Sequence, residues 1–308
     1  MFLCASEEDQ LLAFRQMNPT KRAYLELHLA VVLWGFTAIL GELIQLSALV
    51  LVWWRVLLTS LSLVFVIRLG SMLRTIPRKK VLQFAFVGVL TGLHWLTFYG
   101  SIKLANASVA LIAMATCAFF TSLVEPLIMK QRFSKLDIFM GFLVVPGMAL
   151  IVENVDVSMH MGIWVGLLSS FLAAVFSILN KKWVHDAPPL QITFIEMSSA
   201  WLFLCLVLPF YFSSEPSAKF LPSANDWLWL IILAVACTTF TWVLALRALK
   251  HLSAFASTLT VNLEPVYGIL LAIVILNEHK QLSPGFYWGC LLILLIVLAH
   301  PVLKQKAR

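Results

Sequence analysis

The sequence predicts an all-α membrane protein of ten transmembrane helices arranged as two inverted five-helix repeats. Three observations predict it. Of 308 residues, 61% are apolar and 12% charged, with a mean hydropathy of +0.93, whereas a soluble domain carries roughly twice that share of charge to face water. Ten apolar runs of about 20 residues, the length that crosses a bilayer, take up about two-thirds of the chain and leave no room for a sizeable soluble domain. The chain also matches itself at a shift of 147 residues, which lays Trp95 on Trp242, Lys103 on Lys250, Ala107 on Ala254 and Gln131 on Glu278; one further residue lays Gly141 on Gly289. Five helices per half is an odd number, so the second half enters the bilayer from the opposite side. Inverted repeats of this kind place a transport site near the midplane.

The first run, 25–45, follows a polar segment whose Glu7, Glu8, Asp9 and Gln10 are unlike the basic start of a cleavable signal, so this helix is expected in the mature protein. It carries Trp34, Gly35, Thr37 and Gly41, the glycines being packing positions. The second, 49–68, has Arg55 just after Trp53 and Trp54, which read as an aromatic belt. The third, 82–102, is free of charge and sets His94 beside Trp95; the fourth, 107–129, ends near Glu125 and Pro126; the fifth, 136–153, contains Gly141 and Gly147. The sixth, 162–182, is uncharged through Asn180 and carries Ser169, Ser170 and Ser177. Pro188 and Pro189 precede the seventh, 190–211, which holds Glu196, and the turn-rich segment 213–222 separates it from the eighth, 227–247, with Thr241 and Trp242. The ninth, 254–276, contains Asn262, Glu264, Pro265 and Tyr267, and Ser283, Pro284 and Gly285 open the tenth, 285–303. The organisation expected is an N-terminal tail over 1–24, a first repeat over 25–153, a second over 162–303 and a short tail over 304–308.

Charge orients this arrangement. The net charge of +7 comes from 22 Lys and Arg against 15 Asp and Glu, and the basic residues fall between the apolar runs rather than in a patch, which excludes a nucleic-acid partner. With the N-terminus inside, Lys103, Lys219 and Lys280 lie outside and Arg55 lies in a span, leaving 18 inside. Basic loops stay cytoplasmic, so both termini are expected there, in a multi-pass protein of the plasma (inner) membrane. The five cysteines have no ligand or pairing spacing.

Ionisable groups within spans cost about 2.5–3.5 kcal/mol at mid-helix and therefore face a cavity or a partner. Here they are Glu42, Arg55, His94, Glu125, Glu196 and Glu264, with Glu26 and His28 at the interface. Glu264, ahead of Pro265 and near Asn262 and Tyr267, reads as a substrate-amine contact or a coupling carboxylate; the plainer reading is a buried acid satisfied by a neighbouring helix. His94 and Trp95 fall on Thr241 and Trp242 in the repeat, and together they offer an amphipathic ligand stacking and hydrogen bonding. The alternative is tryptophans that merely face lipid. Arg55 and Glu196 align at a shift of 141, which gives them related depths without implying contact, so a structural bond for each stands beside a binding role. Trp34 and Asn180 complete the candidate lining, and Glu125 beside Lys130 and Arg132 reads as an interfacial salt bridge.

The chain has no G-x-x-x-x-G-K-[ST] loop, H-E-x-x-H helix or G-x-S-x-G turn. No enzymatic activity, metal or cofactor is therefore expected, and the energy must come from a solute gradient, an exchanged solute, a proton or another ion. An integral-membrane enzyme would gather its carboxylates and histidines at one face, whereas these are scattered; a channel or scaffold remains a second alternative.

Taken jointly, these residues resemble the EamA-type branch of the drug/metabolite transporter superfamily. The resemblance is carried by Trp34 and Gly35, by Arg55, by 103–110 (KLANASVA), by Gln131, Arg132, Phe133 and Ser134, by Gly141 and Gly147, and by Glu264, Pro265, Asn277 and Glu278. It covers about 25–303. It implies a secondary transporter of small metabolites, often an exporter of amino acids or related compounds; sugars, nucleotide derivatives and drugs are the alternative substrates. The family proline near the middle of the fourth helix is replaced by Ala118, with Glu125 and Pro126 two turns later, and its usual following acid by Gln131, so any kink in that helix is expected nearer its cytoplasmic end.

Overall fold

A computed structural model describes residues 18–306 apart from 68, 69, 71, 73, 74, 262, 278, 279 and 281. Among the described residues each apolar run is helical. The helices are α1 (Pro19–Leu43), α2 (Ala48–Val64), α3 (Arg78–Leu104), α4 (Ala107–Met129), α5 (Lys135–Glu153), α6 (His160–Trp183), α7 (Pro189–Ser214), α8 (Ala224–Leu249), α9 (Ala254–Val261 then Glu264–Leu276) and α10 (Pro284–Lys306). Six of them, α1, α3, α4, α6, α7 and α8, are long and apolar enough to cross a membrane; the apolar stretches of α2, α5, α9 and α10 are shorter.

Local chemistry sets the ends. α1 begins at Pro19 and not at 25, because the Asn18 side chain accepts from Thr20 N at 2.9 Å and proline suits the first helical turn; six residues assigned to the N-terminal tail thus belong to the helix. Pro189 opens α7 in the same way, and Ser223 and Asp226 form a reciprocal capping box at α8.

The two halves are copies at the level of single hydrogen bonds. Asn106 caps α4 by accepting from Val109 N, and Ser253, 147 residues on, caps α9 by accepting from Ala256 N. α4 breaks at Thr116, whose N–H bonds Ala113 O at 3.1 Å; α9 breaks at Leu263, whose N–H bonds Thr260 O at 3.1 Å. Both helices end on a left-handed residue, Lys130 (φ 54) and Asn277 (φ 56). The break in α4 therefore lies mid-helix, close to Ala118, and Pro126 sits inside the second segment. The sequence expectation of a kink nearer the cytoplasmic end is corrected here, the break lying at Thr116. The Thr116 hydroxyl bonds Ala113 O and Ser170 Oγ, taking over the role of a proline in loosening the ladder.

The relation between the halves is an inversion. Lys103 Nζ at the end of α3 donates to Ile44 O at the end of α1, so these two helices run parallel. α3 and α6 run antiparallel, since Ser101 Oγ bonds Gly162 O at one end and Lys80 pairs with Asp186 at the other. α6 is thus antiparallel to α1, its repeat equivalent. The packing follows the same exchange: α3 lies on α6 as α8 lies on α1, α4 on α6 as α9 on α1, and α5 meets its own counterpart α10. At that last crossing a Cβ on Gly289 would lie 2.8 Å from Gly147 O, so only glycine lets the two backbones meet.

Candidate functional site

A cavity of about 100 Å³ sits where α1, α3, α4, α6, α8 and α9 converge, with Arg55 of α2 reaching into it. Its wall is aromatic. Trp95 and Trp242, the repeat pair, meet edge to face with centroids 5.2 Å apart, and Trp34 joins Trp242 at 6.3 Å. Phe176 flanks Trp242 at 5.5 Å and His94 at 5.2 Å. Two of the indoles are anchored: Trp34 Nε1 donates to Thr241 Oγ1 at 2.8 Å, and Trp242 Nε1 to Glu196 Oε2 at 2.7 Å.

Arg55, 2% exposed, is the buried cation. Its Nε donates to Thr238 Oγ1 at 2.8 Å, its Nη1 to Tyr99 Oη at 2.9 Å, and its guanidinium carbon lies 3.9 Å from the Trp95 ring centre. Thr238 reaches it because α8 passes through a π-helical stretch, Val235–Phe240, where the Thr238 hydroxyl bonds back five residues to Leu233 O. Glu264 enters from α9 at the helix break, 8% exposed, in the electrostatic field of Arg55. The cavity thus holds the Glu264 carboxyl, the Arg55 guanidinium and the His94 imidazole within one aromatic wall.

Seven of the residues singled out in the sequence line this cavity: Trp34, Arg55, His94, Trp95, Asn180, Trp242 and Glu264. Thr241 and Glu196 stand one layer behind as hydrogen-bond acceptors for the indoles. Tyr267 does not take part; it is 36% exposed, its Cβ packed against Gly35. Asn262 and Glu278 lie outside the described residues. His94 donates from Nδ1 to Ser169 O at 3.0 Å, and Ser169 Oγ returns a bond to His94 O. This pairing of α3 with α6 is the repeat image of Thr241 with Trp34.

The structure adds contacts to other expectations. Trp53 and Trp54, read as an aromatic belt, cluster with Trp201, Trp227 and Phe220, and Trp54 Nε1 donates to Phe220 O. Glu26, expected at the interface, is 7% exposed and bridges Arg22 to Arg247, tying α1 to α8. Sequence reasoning missed Tyr99, Thr238, Phe98 and Phe176, although a helical spacing of four from Trp95, Trp242, His94 and Asn180 points to each of them.

The model of the EamA-like transporter family matches residues 21–153 and again 160–299. The chain belongs to the EamA-like transporter family. It is a multi-pass membrane transporter of the drug/metabolite type, built from two family repeats that coincide with the two halves seen in the fold. Among curated proteins none matches this EamA-like transporter. A solved chain described as "Crystal structure of protein" is similar to it in fold, with a TM-score of 0.65 over 93% of this chain and 98% of the other, at 16% identity.

Proposed function

We propose that this EamA-like protein is a secondary transporter that exports amino acids or related amphipathic zwitterions by alternating access. In this reading all ten helices span the plasma membrane with both termini in the cytoplasm. The observation that carries it is the pairing of Arg55 and Glu264 in one aromatic cavity. A guanidinium has five N–H donors, of which Thr238 and Tyr99 engage two, so others remain for a substrate carboxylate. Glu264 offers the matching contact for an ammonium, and Trp34, Trp95 and Trp242 cover the apolar body between them.

Orientation sets the loading face in this reading. The cavity runs from Trp95 toward Asn180, Leu249 and Ser257, the ends of α6 and α8 and the start of α9 that share a face with Lys181, Lys182 and Lys250. The basic bias assigns that face to the cytoplasm, which makes this the inward-loading state.

Counterflow in proteoliposomes tests the reading. Vesicles loaded with unlabelled amino acids are expected to accumulate a labelled mixture transiently above protein-free controls, and Glu264→Gln is expected to cut the overshoot at least tenfold. No overshoot with amino acids would remove this substrate class, and the same vesicles would then be challenged with sugars, nucleotides and cationic drugs.

A further inference from the structure

A second cavity, of about 560 Å³, opens where the first turns of α1 and α7 meet the last turn of α8. The first half of the chain thus supplies one wall and the second half two. Its lining carries three cations, Arg22 on α1 and Arg247 and Lys250 at the end of α8, against a single acid, Glu26. Both arginines reach the same oxygen of that buried acid, Arg22 Nε at 3.0 Å and Arg247 Nη2 at 3.2 Å from Oε1. Lys250 makes no salt bridge among the described residues. One carboxylate against three cations leaves an excess of two positive charges around one space.

Neighbouring groups do not absorb that excess. The carbonyl end of α8 is met by another cation, since Lys181 Nζ donates to Leu249 O and Leu252 O. Asp186, just ahead of α7, is held by Lys80 at 2.7 Å. α7 itself opens at Pro189 without a side-chain cap, so the positive end of its dipole adds to the cations. A basic loop that only orients the chain sits in water. Arg22 and Arg247 instead lie inside helices and are drawn together by one buried acid, and a guanidinium that gives one nitrogen to Glu26 keeps further N–H donors for a second anion.

The cavity also continues into an apolar track. Val243 lines it one turn deeper than Arg247, and Phe240, one turn deeper again on the same face of α8, is 48% exposed. On α1 the face of Arg22 and Glu26 runs on to Leu29, 47% exposed, and on α7 Leu190 closes the cavity rim. A soluble anion has no use for such a track, whereas a phospholipid carries its charge and its acyl chains in this order. Basic pockets between membrane helices at the cytoplasmic face hold anionic headgroups.

We propose that this cavity is a binding site for an anionic phospholipid, its phosphate held by Arg247, Lys250 and Arg22 and its acyl chains lying along Val243, Phe240 and Leu29. The site goes beyond the transported substrate and takes from the transporter reading only the cytoplasmic placement of this face. Because α1 belongs to one repeat and α7 and α8 to the other, the bound lipid joins the two halves next to the Glu26 bridge.

Native mass spectrometry of the purified full-length protein, released from micelles holding equal amounts of phosphatidylglycerol and phosphatidylcholine, tests the site without any transport assay. Wild type is expected to retain phosphatidylglycerol in preference to phosphatidylcholine. Each basic residue near an anionic lipid contributes about a fivefold change in binding, so Lys250→Gln, which leaves the Glu26 bridge intact, is expected to lower retention about fivefold and Arg247→Gln with Lys250→Gln to lower it further. Lys219→Gln, the same loss of charge at the opposite face, is expected to retain lipid as wild type does. Equal retention of the two lipids by wild type, or retention in Lys250→Gln no lower than in Lys219→Gln, overturns the proposal. Inorganic phosphate separates the two sources of the anion: compared with sodium chloride of equal ionic strength it is expected to leave the lipid in place. Displacement of the lipid by phosphate would assign the site to a soluble phosphate compound and overturn the lipid assignment. A failure of amino-acid counterflow has no bearing on these outcomes.

Discussion

The seam between α1 and α3 and its repeat image between α6 and α8 are built on one backbone plan, yet one is packed solid and the other lines the cavity. At the sealed end Gly41 lets the Tyr99 ring lie flat on α1, and Tyr99 and Ile102 are almost wholly buried. The equivalents of Tyr99 and Ile102 at the other end are Leu246 and Leu249, which line the cavity together with Phe176 of α6. The fold is symmetric and the side chains are not. Gly41 closes one seam and Phe176, Leu246 and Leu249 border the cavity at the other, and exchanging the roles of the two seams gives the second state of a transport cycle.

The largest expected effect comes from filling the sealed seam. A Cβ at position 41 would lie 2.5 Å from the Tyr99 ring, and overpacking of this kind costs about 1–3 kcal/mol. Gly41→Val is therefore expected to shift the balance between the two states by about 5- to 150-fold toward the one open at Ile102. Thiol labelling of a cysteine placed at Ile102 would rise, and counterflow would fall by a similar factor. Phe176→Gly, which removes bulk from the cavity-lining seam and lets it close, is expected to move labelling in the same direction. Unaltered labelling in both variants would break the comparison and leave the seams as passive packing.

An intermediate effect separates the two broken helices. α9 has Pro265 just after its break and α4 has Ala118 at the same register, yet the backbone bonds around Leu263 and Thr116 coincide. A proline inside a continuous helix costs about 3 kcal/mol or more. In the first turn after a break it is tolerated, so Ala118→Pro is expected to change stability by no more than about 1 kcal/mol. Thermal unfolding in detergent reads this. A loss near the full helix-interior cost would mean that α4 is continuous in solution and that only α9 is broken.

These contrasts mark where the sequence was legible. The ten apolar runs could be read because helix burial needs apolar residues in number, and ends such as Asn18 with Pro19 could have been read from capping chemistry alone. The repeat pair Trp95 and Trp242 pointed to the cavity because a shared site between inverted halves brings equivalent positions together. The break at Thr116 was hidden, since a hydroxyl bonding Ala113 O and Ser170 leaves no mark as plain as proline. Tyr267 was misplaced because closeness to Glu264 in sequence does not fix which way a helix faces; the approach of Gly35 does. Arg55 could be seen to need partners, but Thr238 and Tyr99 come from other helices, and the π-helical stretch that delivers Thr238 has no signature in the residues.

The smallest effect sharpens the comparison at the last residues of the broken helices. Lys130 and Asn277 both adopt the left-handed conformation, with φ of 54 and 56. This conformation costs an ordinary side chain about 1–2 kcal/mol, while asparagine is tolerated there through its local polar contacts. The second half thus ends with a suitable residue, and the first half carries strain at the same point, where Gln131 N bonds back to Pro126 O to close the helix. Lys130→Asn is expected to raise stability by about 0.5–1 kcal/mol and Asn277→Lys to lower it by a similar amount. Unfolding midpoints in detergent that moved in the same direction for both would mean that the two caps are not equivalent, although their backbones coincide.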